Sequence, residues 1–435
     1  MTEPAADLPR PTHPLGQVRV GAPAARTLVI ELTRRAGPKT ALLVGAGPHS
    51  PVLAAAVDAL LPEDSLLLLG PGLDGTGSGT EAAAAAGSEA LRAHLAGLGG
   101  WVQERVRVVD SLAAVDPVDV VIVAEPVIGT AERARAGLDE LSKAVTAGGV
   151  VVVAAVAVPG VAPGATAELD RQAMLYGVGS DLVLRNLPPL RVHRLRWLPA
   201  DPALADQLTP VSRPSSVPLT RSWHVDSHGV AAGGIALGLA ALAKLARPGS
   251  RLWLLPAAAA LPVAAFFRDP QRDQPADGSL VLAASDGRVL SVERISDDRF
   301  SGDGSAVDYL RVAVFLSVLD VHINRSPVAG EVVDHFLEDG GYAAAMSPTA
   351  EHNVAAYTVV QTARGRVAVA QRTGLLARRI VHRAPVGSLL ARGERFGLIR
   401  FGSRTDVYLP ADRVEVLVAA GDRVTGGGTP LARWR

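Results

Sequence analysis

The pair Gly402-Ser403 lies inside Leu398-Ile399-Arg400-Phe401-Gly402-Ser403-Arg404-Thr405-Asp406-Val407, close to the C-terminus. A serine hydroxyl is a useful nucleophile only beside a base. Asp286 and the histidines His322, His335, His352 and His382 are the groups of this half that could serve. Gly402 contributes chemistry of its own. Without a Cβ it leaves its carbonyl open to attack and tolerates strained backbone. The chain has no cysteine, which excludes thiolate nucleophiles, disulfides and Cys-bound metals, and no metal site is expected. Blander readings stand beside these. The ten residues also read as a strand, a tight glycine turn and a second strand. Asp286 also reads as the first residue of an Asp-Gly turn, and His322 as a strand histidine satisfied locally.

The surrounding residues form a wider pattern. Phe267-Arg268-Asp269-Pro270, Ser285-Asp286-Gly287-Arg288-Val289, Leu319-Asp320-Val321-His322-Ile323-Asn324-Arg325, Ala377-Arg378-Arg379-Ile380 and Gly393-Glu394-Arg395-Phe396-Gly397-Leu398-Ile399-Arg400-Phe401-Gly402-Ser403 occur in that order. Together they resemble the short-form phosphatidylserine decarboxylases, over roughly the last half of the chain. The resemblance implies self-cleavage between Gly402 and Ser403 and a pyruvoyl group made from Ser403. It implies that Asp286 and His322 act with Ser403 as a self-processing triad, and that His322 also reprotonates carbon after carbon dioxide leaves. Asp320, two residues from His322 on one strand face, is a further candidate to orient it. Phosphatidylserine is the implied substrate, phosphatidylethanolamine the product, and two cleaved chains held together the implied mature form. The chemistry is consistent with the residues: decarboxylating an amino acid needs an electron sink, pyridoxal phosphate would need a lysine, and no lysine follows Lys244. The same lack excludes a lipoate or biotin carrier. The family's Glu-Arg-Asn reads Glu351-His352-Asn353 here, and His335, His352 and His382 belong to no matching block. A lipid-binding module without turnover is the alternative from a different class.

These residues need elements to position them. From Val281 onward the chain reads as short strands with glycine turns, a mainly β, barrel-sandwich-like domain over 268–435. Gly387-x-x-Leu390-x-x-Gly393 is echoed by Gly421-x-x-Val424-x-x-Gly427. Before it, Gly229 to Ala246 and Leu252 to Phe267 are two apolar arms, each slightly short of the ~20 residues that span a bilayer. Lys244, Arg247 and Arg251 lie at their junction. The reading is a shallow or re-entrant membrane hairpin over 219–267, its basic tip on anionic headgroups at the cytoplasmic face. Residues 201–218, rich in proline and serine, read as a linker.

Residues 1–200 read differently. A helix is expected over Ala24 to Arg35. Strands at Thr40 to Val44, Leu66 to Leu69, Val106 to Val109, Val118 to Val123 and Val150 to Val156 alternate with helices at Val52 to Leu61, Ala82 to Leu98 and Ala131 to Thr146. That order predicts a doubly wound parallel sheet, closed by a strand pair within Arg185 to Trp197. Gly45-Ala46-Gly47 follows the first strand, where such folds hold a nucleotide-like ligand. The order resembles class I methyltransferases, which implies Gly45 and Gly47 as S-adenosylmethionine contacts and a second, methylating activity as an option. Leu43, His49 and Gly70 depart from that family's pattern, and a retained scaffold is the favoured reading. Lys+Arg and Asp+Glu both number 43 in 435 residues, so no basic field points to nucleic acid. Met1 to Gly21 has no apolar core of a signal peptide.

Overall fold

A computed structural model describes residues 18–70, 81–220, 223–375, 379–400 and 403–435. Gly402, most of the glycine-rich loop after Gly70, and Ala377-Arg378 lie outside the described residues.

The N-terminal part is an α/β layer. Seven strands, β1 (Thr40–Val44), β2 (Ser65–Leu69), β3 (Val106–Val109), β4 (Val118–Val123), β5 (Val145–Val156), β6 (Gly177–Val183) and β7 (Leu190–Leu195), form one sheet in the order β3-β2-β1-β4-β5-β7-β6. β1 to β5 run parallel, and β7 is antiparallel to both neighbours. A parallel central strand is covered on both faces, so it reads as a continuous apolar run. β1 shows this: Ala41 and Leu43 point into one core and Leu42 and Val44 into the other.

The helices begin on recognisable signals. In α3 (Pro51–Ala59) the Ser50 hydroxyl accepts from the Val52 amide, with Pro51 as first residue. In α6 (Ala131–Lys143) Thr130 accepts from the Arg133 amide. The single helix expected over 24–35 is two, α1 (Ala22–Leu28) and α2 (Ile30–Arg34), broken at Val29. α4 (Glu81–Ala96) and α5 (Gly100–Arg105) follow, and α7 (Pro163–Tyr176) has no counterpart in the sequence reading. The closing pair begins earlier than expected, with β6 before Arg185 and its turn at 184–189.

The stretch read as a linker is partly ordered into a sheet. β8 (Ser216–Pro218) pairs with β9 (His224–Asp226), which leads directly into α8 (Ser227–Ala246). Asp226 caps α8 through the His228 amide. α8 is 20 residues, long and apolar enough to cross a membrane, whereas α9 (Leu254–Phe266) is 13. The two pack as a hairpin through small residues. A Cβ on Gly229 would lie 2.6 Å from the Phe267 Cβ, and one on Gly233 3.4 Å from that of Ala264. Beyond this base the hairpin is bare: Ile235, Leu239, Leu242, Leu245, Leu255 and Leu261 are all exposed.

The C-terminal module comprises β10 (Leu280–Leu282), β11 (Gly287–Asp297), β12 (Val307–Leu316), β13 (Ile323–Arg325), β14 (Gly330–Glu338), β15 (Ala355–Thr362), β16 (Gly365–Arg372), β17 (Ile380–His382), β18 (Leu389–Leu390), β19 (Arg395–Ile399), β20 (Ser403–Pro410), β21 (Val414–Val416), β22 (Arg423–Val424) and β23 (Pro430–Trp434). Eight strands form one antiparallel sheet, β18-β14-β15-β16-β20-β12-β11-β22. Two three-stranded sheets, β10-β23-β21 and β13-β19-β17, complete it.

The glycine echo in the sequence marks an internal duplication. Val332 exchanges backbone hydrogen bonds with Ser388 and Gly387, as Val289 does with Asp422 and Gly421. Gly393 donates to Ser326 as Gly427 donates to Ala283. β11 bulges after Val289 and β14 after Val332. Gly287 and Gly330 are equivalent too. A Cβ at either would strike the carbonyl of the neighbouring strand, Phe315 at 2.1 Å or Gln361 at 2.3 Å. β16 and β20 meet at the centre of the sheet, where the two halves join.

Candidate active site

Ser403 opens β20, the strand hydrogen-bonded to β12 on one side and β16 on the other. Every residue of β20 is buried. Ser403, Thr405 and Val407 share one face. Thr405 Oγ1 lies 2.6 Å from Ser285 Oγ, and Val407 belongs to the main β core. The Ser403 hydroxyl, at 0 % exposure, has no hydrogen-bond partner among the described residues. A buried hydroxyl left without a partner costs about 1–3 kcal/mol.

The opposite face of β20 is locked by charge. Asp406 is fully buried; its Oδ1 accepts from Arg404 Nε at 2.6 Å and its Oδ2 from Arg372 Nε at 2.8 Å. Arg372 also donates to the Tyr357 hydroxyl at 2.6 Å. The strand carrying Ser403 is thereby fixed in register on both faces.

His322 reaches the same neighbourhood through β19. Its carbonyl accepts from the Ile399 amide at 3.2 Å, four residues before Ser403. The ring is buried, and Phe266, at the end of α9, packs against it with centroids 4.2 Å apart and the rings tilted by 38°. Desolvation by this apolar cover pulls the imidazole down to about 4. His322 Nδ1 lies 2.9 Å from the Asp320 carbonyl. A carbonyl only accepts, so Nδ1 carries the proton and Nε2 the basic lone pair. The ring is therefore a neutral base at neutral pH, with its tautomer set.

Two expectations are corrected here. Asp320 and His322 are not strand neighbours; they sit in the turn before β13. The Asp320 carboxylate caps that turn through the Ser317 amide and binds Arg423, so it orients His322 by its carbonyl alone. Asp286 does not pair with His322. Its oxygens are held by Arg272 Nη2 at 2.7 Å and the Gly426 amide at 2.8 Å. It lies in the turn before Gly287, which must press against β12, and there it ties Ser285 and the Gly426 loop beside β20.

The sequence blocks also include structural parts. Asp269 is buried under Arg325, Arg395 and the Ser216 hydroxyl, which fastens the base of the hairpin to β13 and β19. Asn353 bonds the Ala343 and Thr373 backbone, and His352 is exposed. His335 and His382 stack on each other with centroids 3.6 Å apart. Phe266 was missed by residue-type reasoning because an aromatic at the end of an apolar run reads as core. Its adjacency to the Phe-Arg-Asp-Pro block was the available signal.

The two halves of the chain are joined by buried charge. Glu394, between β18 and β19, accepts from Arg34 and Arg213, both at 2.6 Å. Arg34 also donates to the Leu389 carbonyl, and Arg196 to that of Gly387.

In the N-terminal sheet Gly45 and Gly47 lie at the end of β1, beside the reversal of strand order between β1 and β4 where ligands of such sheets bind. Gly45 has φ +78°, and a Cβ at either glycine would meet no atom within 4 Å. At the end of β2 stands Gly70, pressed against Ser88. Among the described residues no carboxylate stands at the end of β2 to hold a ribose, so the described residues do not fit S-adenosylmethionine well, and no step is derived through it.

Residues 260–432 match the family model for phosphatidylserine decarboxylase. The phosphatidylserine decarboxylase proenzyme of Symbiobacterium thermophilum is 54% identical over 170 residues, 39% of this chain and 77% of that protein. The chain belongs to the phosphatidylserine decarboxylase family. The proenzyme of Nitrosomonas eutropha is 43% identical over 186 residues, covering 42% of this chain and 82% of its own length. Among solved structures, the precorrin-6y C5,15-methyltransferase of Geobacter metallireducens is similar at 16% identity, over 40% of this chain and 87% of that one, with a TM-score of 0.28. The O-methyltransferase TomG of Streptomyces achromogenes is similar at 17% identity, over 41% and 82%, with a TM-score of 0.29. In the decarboxylase module, Ser403 and His322 fall within the family match, and the N-terminal α/β sheet precedes it.

Proposed function

We propose that this chain is a self-processing, pyruvoyl-dependent decarboxylase of phosphatidylserine that works at an anionic membrane surface. The observation that carries the reading is the Ser403 hydroxyl, fully buried and without a partner among the described residues at the head of a locked strand, within a chain of this family. Ser403 Oγ adds to the Gly402 carbonyl as His322 Nε2 takes its proton, and the Gly402–Ser403 C–N bond breaks to leave an ester. Loss of the Ser403 α-proton expels the Gly402 carboxylate and leaves dehydroalanine. Water then enters, ammonia leaves, and position 403 ends as a ketone.

That ketone supplies an electron sink for the carbanion left by carbon dioxide. The chain's own residues do the rest. β20 remains in its ladder after the cut, so position 403 keeps its place. His322 holds a proton at Nε2 for delivery to carbon. Phe266 excludes water from the ring. The exposed leucines of α8 and α9 favour an apolar environment, and Lys244, Arg247 and Arg251 at the tip favour anionic headgroups. Because the base of the hairpin also covers His322, membrane contact and catalysis share one end of the module.

A denaturing gel with intact mass tests the reading. Wild type should run as two chains divided at 402/403, the short one blocked at its N-terminus. An intact, fully active wild-type chain overturns it. For the membrane, Leu242, Leu245, Leu252 and Leu255 changed together to serine should release the protein from anionic vesicles while leaving cleavage intact. Unchanged sedimentation places the anchor elsewhere.

A further inference from the structure

The buried arginines of the decarboxylase module are matched almost throughout. Arg383 takes Asp226, Arg325 and Arg395 take Asp269, and Arg372 and Arg404 take Asp406. The half-buried Arg400 breaks the pattern, beside the exposed Arg379. Neither has a carboxylate partner among the described residues, and the half-buried Arg400 keeps a buried Nε with no acceptor. Ile380 pairs with Ile399 across β17 and β19, and the Arg400 amide donates to the Arg379 carbonyl at 3.2 Å. The register thus sets the two arginines opposite each other. Like charges directly opposite across strands are destabilising.

Their side of the sheet is informative. Val381 and Leu398, two residues away on each strand, belong to the apolar cluster of Val225, Phe266, Phe267, Val321 and Ile323. Alternation puts Arg379 and Arg400 on that same face. They therefore extend the patch that lies under the hairpin and beside His322, and Arg400 is three residues from Ser403. Partial burial, and after it the charge of Arg379, push the Arg400 guanidinium down from its ordinary range, and nearby Asp226 offsets this only in part, its oxygens being held by Arg383.

We infer that Arg379 and Arg400 form the seat for the phosphodiester of the aminophospholipid headgroup, between the membrane hairpin and position 403. An anion there would relieve the repulsion and satisfy the buried Nε. Guanidinium forks suit a phosphodiester, which offers two oxygens in one plane. The seat would favour a serine esterified to a phosphodiester over free serine. This rests on the proposed decarboxylation.

The test uses full-length chains with Arg379→Ala, Arg400→Ala and Arg400→Lys, with turnover expressed per mole of pyruvoyl. For a water-soluble, short-chain phosphatidylserine each alanine variant should raise KM about tenfold or more, as expected for losing a charged hydrogen bond. The loss should fall on KM rather than on turnover. Arg400→Lys should recover part of it, since a point charge lacks the fork. Sedimentation with phosphatidylglycerol vesicles should stay within about twofold. A KM within about twofold of wild type in both alanine variants overturns the assignment. So does weakened vesicle binding with unchanged KM, which would make the pair a surface contact. Should a substitution block maturation, the uncleaved Ser403→Ala protein serves instead, with glycerophosphoserine as the probe in calorimetry. Each added alanine should weaken binding about tenfold; equal affinity, or no binding by the parent Ser403→Ala protein, overturns the seat. Failure of wild type to cleave or decarboxylate sinks the underlying function separately.

Discussion

Phe266→Ala tests the idea that burial sets the chemistry of His322. The ring is held near 4 chiefly by desolvation, and Phe266 at 4.2 Å is its apolar cover. At pH 5 a base of that pKa is about nine-tenths neutral, whereas one at the unperturbed ~6.5 is about 3% neutral. Self-cleavage of wild type should therefore lose less than about twofold between pH 8 and pH 5, against about thirtyfold for an ordinary histidine. Opening the ring to water in Phe266→Ala should move the apparent pKa of cleavage upward by about one unit or more. The variant should cleave near the wild-type rate at pH 8 and many times more slowly at pH 5. The assay is the time course of two-chain formation after synthesis at each pH, followed on a denaturing gel. A wild-type profile that falls with a midpoint near 6.5, or an unshifted profile in Phe266→Ala, refutes the reasoning.

Other outcomes follow from the same geometry. His322→Ala should slow cleavage about 10²–10⁴-fold, the range for losing a general base, and material matured by long incubation should stay poor in turnover per pyruvoyl; normal turnover there would restrict His322 to processing. Ser403→Ala should stay one full-length, inactive chain by mass. Glu394→Ala leaves Arg34 and Arg213 buried without their acceptor and should cost about 3–5 kcal/mol in urea unfolding; a loss under about 1 kcal/mol would show that water reaches these arginines. The histidines His193, His322 and His382 are all depressed to about 4, each mainly by burial. Their unfolded forms bind protons first, so they favour folding above about pH 6.5, and that stability should fade as pH drops from about 6.5 toward 4. A denaturation midpoint flat across that window would contradict the burial of these rings.

The sheet strands were legible because parallel strands buried on both faces are dominated by Leu, Val, Ile and Ala, as at Thr40–Val44 and Val118–Val123, where Asp119 is the one charged residue. α7 was not, because its apolar positions are interspersed with Gly164, Thr166, Arg171 and Gln172 and carry little periodic signal. Ser403 and His322 were singled out through their blocks, and the duplication was legible through four glycines, all with positive φ. Which carboxylate serves which base was not. Asp286 and Asp320 both precede apolar segments, and only the fold shows that Arg272 and the Gly426 amide hold the first while Ser317 and Arg423 hold the second. Partner choice among buried charges depends on packing between strands far apart in sequence, which no local pattern records.

The placement of the joining charges bears on why the N-terminal sheet is attached at all. Glu394 precedes β19, whose other end leads to Arg400 and the cut. Its acceptor capacity is filled by Arg34 from α2, by Arg213 from the stretch before β8 and by the Ala391 amide. Without the first part of the chain Glu394 would be a buried carboxylate lacking both cations, a state expected to protonate or unfold locally. The strand that presents His322's partner Ile399 therefore depends on residues nearly the whole chain away. The N-terminal sheet is thus coupled to the decarboxylase module through Arg34, which pairs with Glu394 as well as with Glu31 of its own helix. Loss of Glu394 or Arg34 should accordingly reach the cleavage rate as well as stability, because both act on the strand that leads to Ser403.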